Sequence, residues 1–92
     1  MNTPPSDVRR ARIVWRCRRG MRELDLLLEK FLSSGLELLE DDDLERMENL
    51  LIQPDQDILA WLTGATTPED ANIRHIVIIL RNTINLQSNA CD

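Results

Sequence analysis

Apolar residues recur at helical spacing along most of this chain, and this periodicity constrains the fold more than any other feature of the sequence. Between positions 21 and 32 they lie three or four residues apart, as on one side of an α-helix: Met21, Leu24, Leu27, Leu28, Phe31 and Leu32. A helix is therefore predicted over 21–33, and Ser33-Ser34-Gly35 is a suitable sequence to end it.

An earlier helix is predicted over 7–18, with Ser6 as a fair N-cap. Glycine inside a helix costs about 1 kcal/mol, so Gly20 marks the junction between the two helices. If the first helix runs straight to position 19, four arginines share one stripe of its surface: Arg9, Arg12, Arg16 and Arg19.

Two short helices are predicted next, each with an aspartate as its cap. Asp41 is the expected cap of the third helix, which ends near Ile52 and has one apolar face: Leu44, Met47, Leu50 and Leu51. The acidic run at 40–43 indicates capping and solvation, because it lacks the spacing of a calcium loop. Asp55 is the expected cap of the fourth helix, which Thr63-Gly64 closes.

The fifth helix is predicted to begin with Thr67 as N-cap and Pro68 in its first turn, and to end near Leu86. Its apolar stripe is Ile73, Ile76, Val77, Leu80 and Ile84, which Ile78 and Ile79 broaden. A strand is the alternative for this β-branched cluster. Capping and helical spacing over a long segment favour the helix.

The chain has 92 residues, of which 42% are hydrophobic and 29% are charged, as is usual for a globular protein. This length suits one domain, because domains usually contain about 100–150 residues. The predicted fold is all-α: one five-helix bundle spanning 1–92, with frayed ends at 1–5 and 87–92. So small a bundle has little room for an enclosed active site, which argues against an enzyme.

Charge is segregated along the chain, although the net charge is −5. Residues 1–22 contain seven arginines and one aspartate, which gives +6, whereas residues 23–57 contain twelve acids and two bases, which gives −10. Ten of the eleven cationic residues are arginines. Since arginine pairs with carboxylates and carbonyls in fixed geometry, this composition favours a specific interface. The acidic net charge and the lack of a recognition motif argue against nucleic-acid binding.

The sequence offers few groups for chemistry. His75 has no cysteine or carboxylate at metal-ligand spacing, so we expect a partly exposed structural histidine and no metal site. No base stands near Cys17 or Cys91, and the two cysteines do not form a disulfide framework, which indicates a reducing compartment. The longest apolar run, 76–80, is too short to cross a membrane.

The two tryptophans, Trp15 and Trp61, are candidates for stacking on a base or a flavin ring. Because the chain has only one other aromatic residue, we expect both to be core anchors instead.

One constellation remains, Arg19-Gly20-Met21-Arg22-Glu23, which places a guanidinium and a carboxylate four residues apart around a glycine. One interpretation is a binding site that another backbone approaches closely at Gly20. The other is a helix junction with an intrachain pair between Arg19 and Glu23. The residues alone favour neither interpretation.

The segment 11–25, ARIVWRCRRGMRELD, closely resembles the signature of the bacterial succinate dehydrogenase assembly factors, also called flavinylation factors or SdhE. The hallmark of that family is an RGxxE motif, here Arg19, Gly20 and Glu23. Residues 55–62 resemble the family's later Asp-rich helix with its tryptophan, although Gln56 stands where proline is expected. The C-terminal helix beyond Asn72 is weakly diagnostic.

The resemblance implies a five-helix chaperone that binds the flavoprotein subunit of succinate dehydrogenase, and often that of fumarate reductase, and promotes covalent attachment of FAD to a histidine of that subunit. FAD then belongs to the client, and the factor is expected to be no enzyme, to bind no cofactor stably and to have no catalytic residue. The expected partner-binding residues are Arg12, Arg16, Arg19, Gly20, Met21, Arg22 and Glu23.

The same family has also been labelled as the antitoxin of a toxin and antitoxin pair, which is the alternative function. The arginine-rich start of the chain is similar to a mitochondrial presequence. Because the motif lies at 19–23 and its helix begins near Ser6, cleavage of a presequence would destroy the domain. We therefore expect a bacterial cytoplasmic protein.

Overall fold

The computed structural model describes the backbone of residues 6–90 and the side chains of residues 7–85. It contains five α-helices: α1 Ser6–Arg16, α2 Arg22–Ser34, α3 Asp41–Leu50, α4 Asp55–Thr63 and α5 Ala71–Ala90. A 3-10 turn, Leu36–Leu38, follows α2 and is absent from the sequence prediction. No residue within 6–90 belongs to a β-strand, so the all-α, five-helix prediction is confirmed. The predicted frayed ends lie outside the residues whose side chains are described.

The apolar faces of the helices meet in a single core. Helix α5 packs against α2 and α3, α1 packs against α3, and α4 packs against α2 and α5. The largest fully buried side chains come from all five helices: Ile13, Leu24, Leu28, Phe31, Leu44, Met47, Leu50, Ile58, Ile76 and Leu80. Since α1 supplies Ile13 to this core, the arginine-rich segment is an integral part of the domain.

The ends of α1, α3 and α5 differ from the prediction, and α3 stops at Leu50 and not near Ile52. Helix α1 ends at Arg16, because the N–H of Arg18 bonds the carbonyl of Trp15, only three residues back, and the chain then turns at Gly20. Helix α5 starts at Ala71 and not at Pro68, since the carboxylate of Asp70 accepts the first helical N–H groups, those of Asn72 at 2.8 Å and Ile73 at 3.2 Å. No glycine or proline follows Leu86, and α5 continues to Ala90.

The two predicted aspartate caps are also wrong. Glu40 occupies the N-cap position of α3 and Pro54 that of α4, and neither makes a side-chain capping bond. Asp41 and Asp55 are the first residues of their helices. Asp55 uses its carboxylate elsewhere, as described below. The prediction that Gly64 ends α4 is confirmed, with φ +84°.

Among the side chains outside the core, some confirm the prediction and others contradict it. Trp61 is half-buried and packs against the core, as expected for an anchor. Ile78 is exposed, because it lies opposite the buried stripe of α5, so it does not broaden that stripe. His75 is partly exposed, as predicted, and its Nε2 lies 3.4 Å from the carboxylate of Asp43, where it joins α5 to α3.

Candidate functional site: the junction of α1 and α2

The junction between α1 and α2 carries the Arg-Gly-x-x-Glu constellation and has a defined backbone. The carboxylate of Asp25 accepts hydrogen bonds from the backbone N–H of Arg19 at 2.8 Å and of Gly20 at 3.3 Å. These two groups lie just beyond α1 and would otherwise have no partner in the protein. Asp25 therefore holds the turn in one conformation, a role that the sequence analysis missed although the spacing from Arg19 to Asp25 is short.

Arg19 is tied into the fold by its whole guanidinium group. Its Nε donates to Asp55 Oδ1 at 2.7 Å, Nη1 donates to the carbonyls of Leu51 at 2.7 Å and Arg16 at 3.1 Å, and Nη2 donates to the carbonyl of Gln53 at 3.2 Å. The side chain is only 16% exposed. Arg19 thus fastens the junction to the loop between α3 and α4.

This arrangement corrects the pairing expected for Arg19 and leaves its role in the partner-binding surface as a prediction. Its carboxylate partner is Asp55 and not Glu23, so the intrachain pair proposed for the motif is wrong in its partner. The side chain is also not solvent-exposed, and its loss leaves several polar groups without partners. Asp55, expected only as a cap, was the second half of this link, and no local sequence pattern joins residues so far apart.

Gly20 has φ +85°, in the left-handed region that residues with a Cβ rarely adopt. A Cβ built at Gly20 meets no atom within 4 Å, so the space beside it is open. Gly20 consequently serves the backbone turn and at the same time leaves a bare, exposed surface.

The three residues after Gly20 face different surroundings. Met21 is partly buried against the core, whereas Arg22 and Glu23 are exposed. Glu23 lies at one end of a shallow apolar groove between α2 and α4, with Leu26 and Leu59 among the lining residues. Arg22 and Glu23 are thus accessible to another molecule.

The arginine stripe predicted on α1 divides in the structure. Arg9 and Arg12 both pair with Glu48 of α3, with Nε to carboxylate distances of 3.2 and 3.1 Å. Arg16 is exposed, and Arg19 leaves the stripe because α1 ends first. Of the seven expected partner-binding residues, Arg16, Gly20, Arg22 and Glu23 are exposed, Met21 and Arg12 are partly buried, and Arg19 is engaged internally.

Trp15 is 81% exposed, so the expectation of a core anchor is wrong. The signal was present in the sequence: Ile13 and Cys17, four residues apart, form the buried face of this helix end, and Trp15 lies two residues from each, on the opposite side. A large exposed indole beside the motif is a further candidate for contact with a partner.

Cys17 is the buried thiol beneath this junction. Burial raises its pKa to about 12, an effect that the nearby Arg19 charge opposes in part and Asp25 reinforces. The thiol is therefore protonated at neutral pH and inaccessible, which makes it a core residue and not a nucleophile.

The part of the chain that the structure describes contains neither a metal-binding cluster nor a helix that could span a membrane. Among residues 6–90, no three histidine, cysteine, aspartate or glutamate side chains come together in an arrangement that could hold a metal ion. None of the helices in that part of the chain combines the length and the hydropathy needed to span a bilayer.

Comparisons with known proteins place these residues in context. Residues 11–84 match the family model described as the flavinator of succinate dehydrogenase. The chain is 42% identical over 73 residues to the FAD assembly factor SdhE of Legionella pneumophila (strain Paris), covering 79% of this chain and 91% of the relative.

Two further relatives have the same description. The FAD assembly factor SdhE of Coxiella burnetii is 42% identical over 66 residues, which cover 72% of this chain and 80% of the relative. That of Serratia sp. is 39% identical over 70 residues, with 76% and 80% covered. None of these descriptions mentions an antitoxin. The family match at residues 11–84 includes the junction of α1 and α2, together with Trp15 and Asp55.

Proposed function

The chain belongs to the family of succinate dehydrogenase flavinators, and from this membership we propose that it is an assembly factor for covalent flavin in succinate dehydrogenase. It binds the flavoprotein subunit and promotes attachment of FAD to that subunit. The observation that carries the proposal is the match over residues 11–84, which includes both the motif and the residues that shape it.

The geometry of the junction supports a binding role. Asp25 and Arg19 fix the turn from two sides, so Gly20, Arg22 and Glu23 are presented on a surface that is formed before the partner arrives. A preformed surface loses less conformational entropy on association, and the binding energy is then available to orient the client. We propose Gly20, Arg22, Glu23 and Arg16 as direct contacts, with Met21, Arg12 and Arg19 holding the surface in shape.

In this proposal the chain supplies no catalytic group and binds no FAD stably. The client supplies the flavin site and the residue that becomes linked to the flavin, and this chain holds the client in the competent arrangement. The proposal extends to the flavoprotein subunit of fumarate reductase as a second client. We place the activity in the bacterial cytoplasm, since the relatives are bacterial and α1 contributes Ile13 to the core.

Deletion of the gene tests the proposal most simply. Covalent flavin on the succinate dehydrogenase flavoprotein is measured by in-gel fluorescence in the deletion strain and after complementation with the wild-type chain. We expect the flavin signal to fall sharply on deletion and to return on complementation. The same gel, run for the fumarate reductase flavoprotein, shows whether this second client depends on the chain. Unchanged succinate dehydrogenase flavinylation in the deletion strain would contradict the proposal.

Two glutamates provide matched variants for the site. Glu23 and Glu45 are both exposed helix residues, but Glu45 lies on α3, away from the junction. We expect complementation with Glu23→Ala to leave flavinylation low while the variant remains folded, and complementation with Glu45→Ala to restore it. Equal activity of the two variants would remove Glu23 from the proposed contacts.

A further inference from the structure

The end of α1 carries an exposed apolar pair next to the motif. Trp15 is 81% exposed and Val14 is 42% exposed. The other large exposed apolar residues lie apart from this pair, such as Val8 near the start of α1, Leu38 in the 3-10 turn and Ile78 on α5. Tryptophan is among the residues that contribute most to binding at protein interfaces, and truncating it there often weakens binding strongly.

Two arginines give this apolar pair a positive border. Arg16 and Arg18 are exposed, and no carboxylate of the described residues pairs with either of them. Asp55 lines the same shallow cleft, but its carboxylate is bound to Arg19. The border is thus locally cationic on a chain whose net charge is −5. Charge complementarity calls for an acidic partner surface.

This surface is continuous with the glycine turn. Val14 and Arg18 line the cleft that contains Trp15, and they also line the neighbouring cleft that contains Gly20. The far wall of that second cleft includes Glu29, so the positive charge is confined to the α1 side. A partner that covers Gly20 from the α1 side therefore also covers Trp15.

We propose that Val14, Trp15, Arg16 and Arg18 form a docking platform for an acidic segment of the client flavoprotein. An apolar side chain of that segment packs on Trp15, and its carboxylates pair with Arg16 and Arg18. This inference rests on the proposed function and adds the chemistry of the client surface that is recognised.

An acidic protein segment fits this platform better than the diphosphate of FAD. Phosphate sites in proteins commonly use backbone N–H groups at a helix end or a tight turn. Of the N–H groups at this turn, those of Arg19 and Gly20 already donate to the carboxylate of Asp25. The start of α2 has no side-chain cap, but none of its residues lines the cleft that contains Trp15. The guanidinium groups of the platform pair with carboxylate and phosphate alike, so the lack of backbone N–H donors in the cleft is what favours the acidic segment, whose apolar side chain can pack on the indole.

Titration of the purified flavoprotein subunit of succinate dehydrogenase with the full chain tests the platform. We compare wild type with Trp15→Ala and with Arg16→Glu/Arg18→Glu. Matched controls are Leu38→Ala, which also removes a highly exposed apolar side chain, and Arg81→Glu, which reverses an exposed arginine on α5. Thermal melts establish that each variant is folded.

We expect Trp15→Ala and the double charge reversal each to raise Kd at least about tenfold. The charge reversal is also expected to remove most of the dependence of Kd on salt. Both controls are expected to stay within about twofold of wild type. Wild-type affinity of the folded Trp15 and arginine variants would overturn the platform, whereas failure of the wild-type chain to bind would overturn the proposed function itself.

A separate titration of FAD with this chain alone tests whether FAD, and not the client segment, binds the platform. We expect no quenching of FAD fluorescence at the concentrations used for the client. Quenching that Arg16→Glu/Arg18→Glu abolishes would assign the platform to the flavin diphosphate and overturn its assignment to an acidic client segment.

Discussion

The two ends of α1 use arginine for different purposes. Near the start, Arg9 and Arg12 pair with Glu48, and Arg10 donates to the carbonyls of Leu36 at 3.4 Å and Leu39 at 2.8 Å. At the other end, Arg16 and Arg18, which lies just beyond the helix, are exposed and line the same cleft as Trp15. The first group attaches α1 to the rest of the fold, and the second is left for a partner. The difference is set by which acceptors lie opposite each arginine.

Arg19 belongs with the first group although it lies near the second in sequence. Its guanidinium is bound to the loop between α3 and α4, while Glu23 of the same motif is exposed. The motif therefore combines a residue that shapes the turn with residues that the turn presents. Substitution of Arg19 or of Glu23 would then lower flavinylation for different reasons: the first disturbs the turn, and the second removes a group that the turn presents.

The tryptophans give the largest contrast in stability. We expect Trp61→Ala to lower the free energy of unfolding by about 2–3 kcal/mol, less than for a fully buried tryptophan, because Trp61 is half-buried against the core. Trp15→Ala should change it by no more than about 0.5 kcal/mol. Urea denaturation of both variants measures the difference. Equal destabilisation by the two substitutions would contradict the exposure of Trp15.

Arg19 and Arg18 give the next contrast. Arg19→Ala is expected to destabilise the chain by about 2 kcal/mol, because it leaves Asp55 and several carbonyls without their donor. Arg18→Ala should cost no more than about 0.5 kcal/mol. A double-mutant cycle of Arg19→Ala with Asp55→Ala measures the coupling between the two side chains. An Arg19→Ala variant as stable as Arg18→Ala would break the distinction between the two groups.

Gly20→Ala should cost about 1 kcal/mol, because alanine at positive φ is strained while no atom obstructs its Cβ. Gly20→Asn is expected to cost less, since asparagine tolerates the left-handed region better. Thermal unfolding of the two variants separates backbone strain from crowding. A larger loss of stability for asparagine than for alanine would indicate crowding at position 20 and would contradict the open space beside Gly20.

The smallest effect is expected at the start of α1. Glu48→Gln removes the charge that pairs with Arg9 and Arg12, and we expect a loss of about 0.5–1 kcal/mol that shrinks at high salt. Glu45→Gln, on the same helix but exposed, is the control and should have no measurable effect. A salt-independent loss in Glu48→Gln would point to packing and not to charge.

The helices and most of the core follow from local pattern. The stripes on α2, α3 and α5 place residues such as Leu24, Met47 and Leu80 correctly in the interior, because burial there depends on spacing within one helix. The turn at Gly20 was also visible, since glycine marks a junction. The conformation of that turn was not, because it depends on the bonds from Arg19 and Gly20 to Asp25.

The candidate site was predictable only in part. The motif gave its position, but residue type does not reveal whether an arginine has an internal acceptor. The link from Arg19 to Asp55 spans 36 residues and forms only when α4 reaches the junction. The scarcity of aromatic residues favours a buried Trp15, but its place on α1 opposite the buried Ile13 decides its exposure.

The central claim is that the exposed end of α1 becomes covered by the client. It is tested most directly by ¹⁹F NMR of the chain labelled with 5-fluorotryptophan, whose two resonances report Trp15 and Trp61 separately and are assigned with Trp15→Phe and Trp61→Phe. In the free chain we expect the Trp15 resonance to show the larger solvent isotope shift, in keeping with its 81% exposure. On addition of the succinate dehydrogenase flavoprotein subunit, the Trp15 resonance should move and lose most of that isotope shift, while the isotope shift of Trp61 stays as in the free chain. A saturated complex in which Trp15 keeps its full isotope shift would contradict the claim.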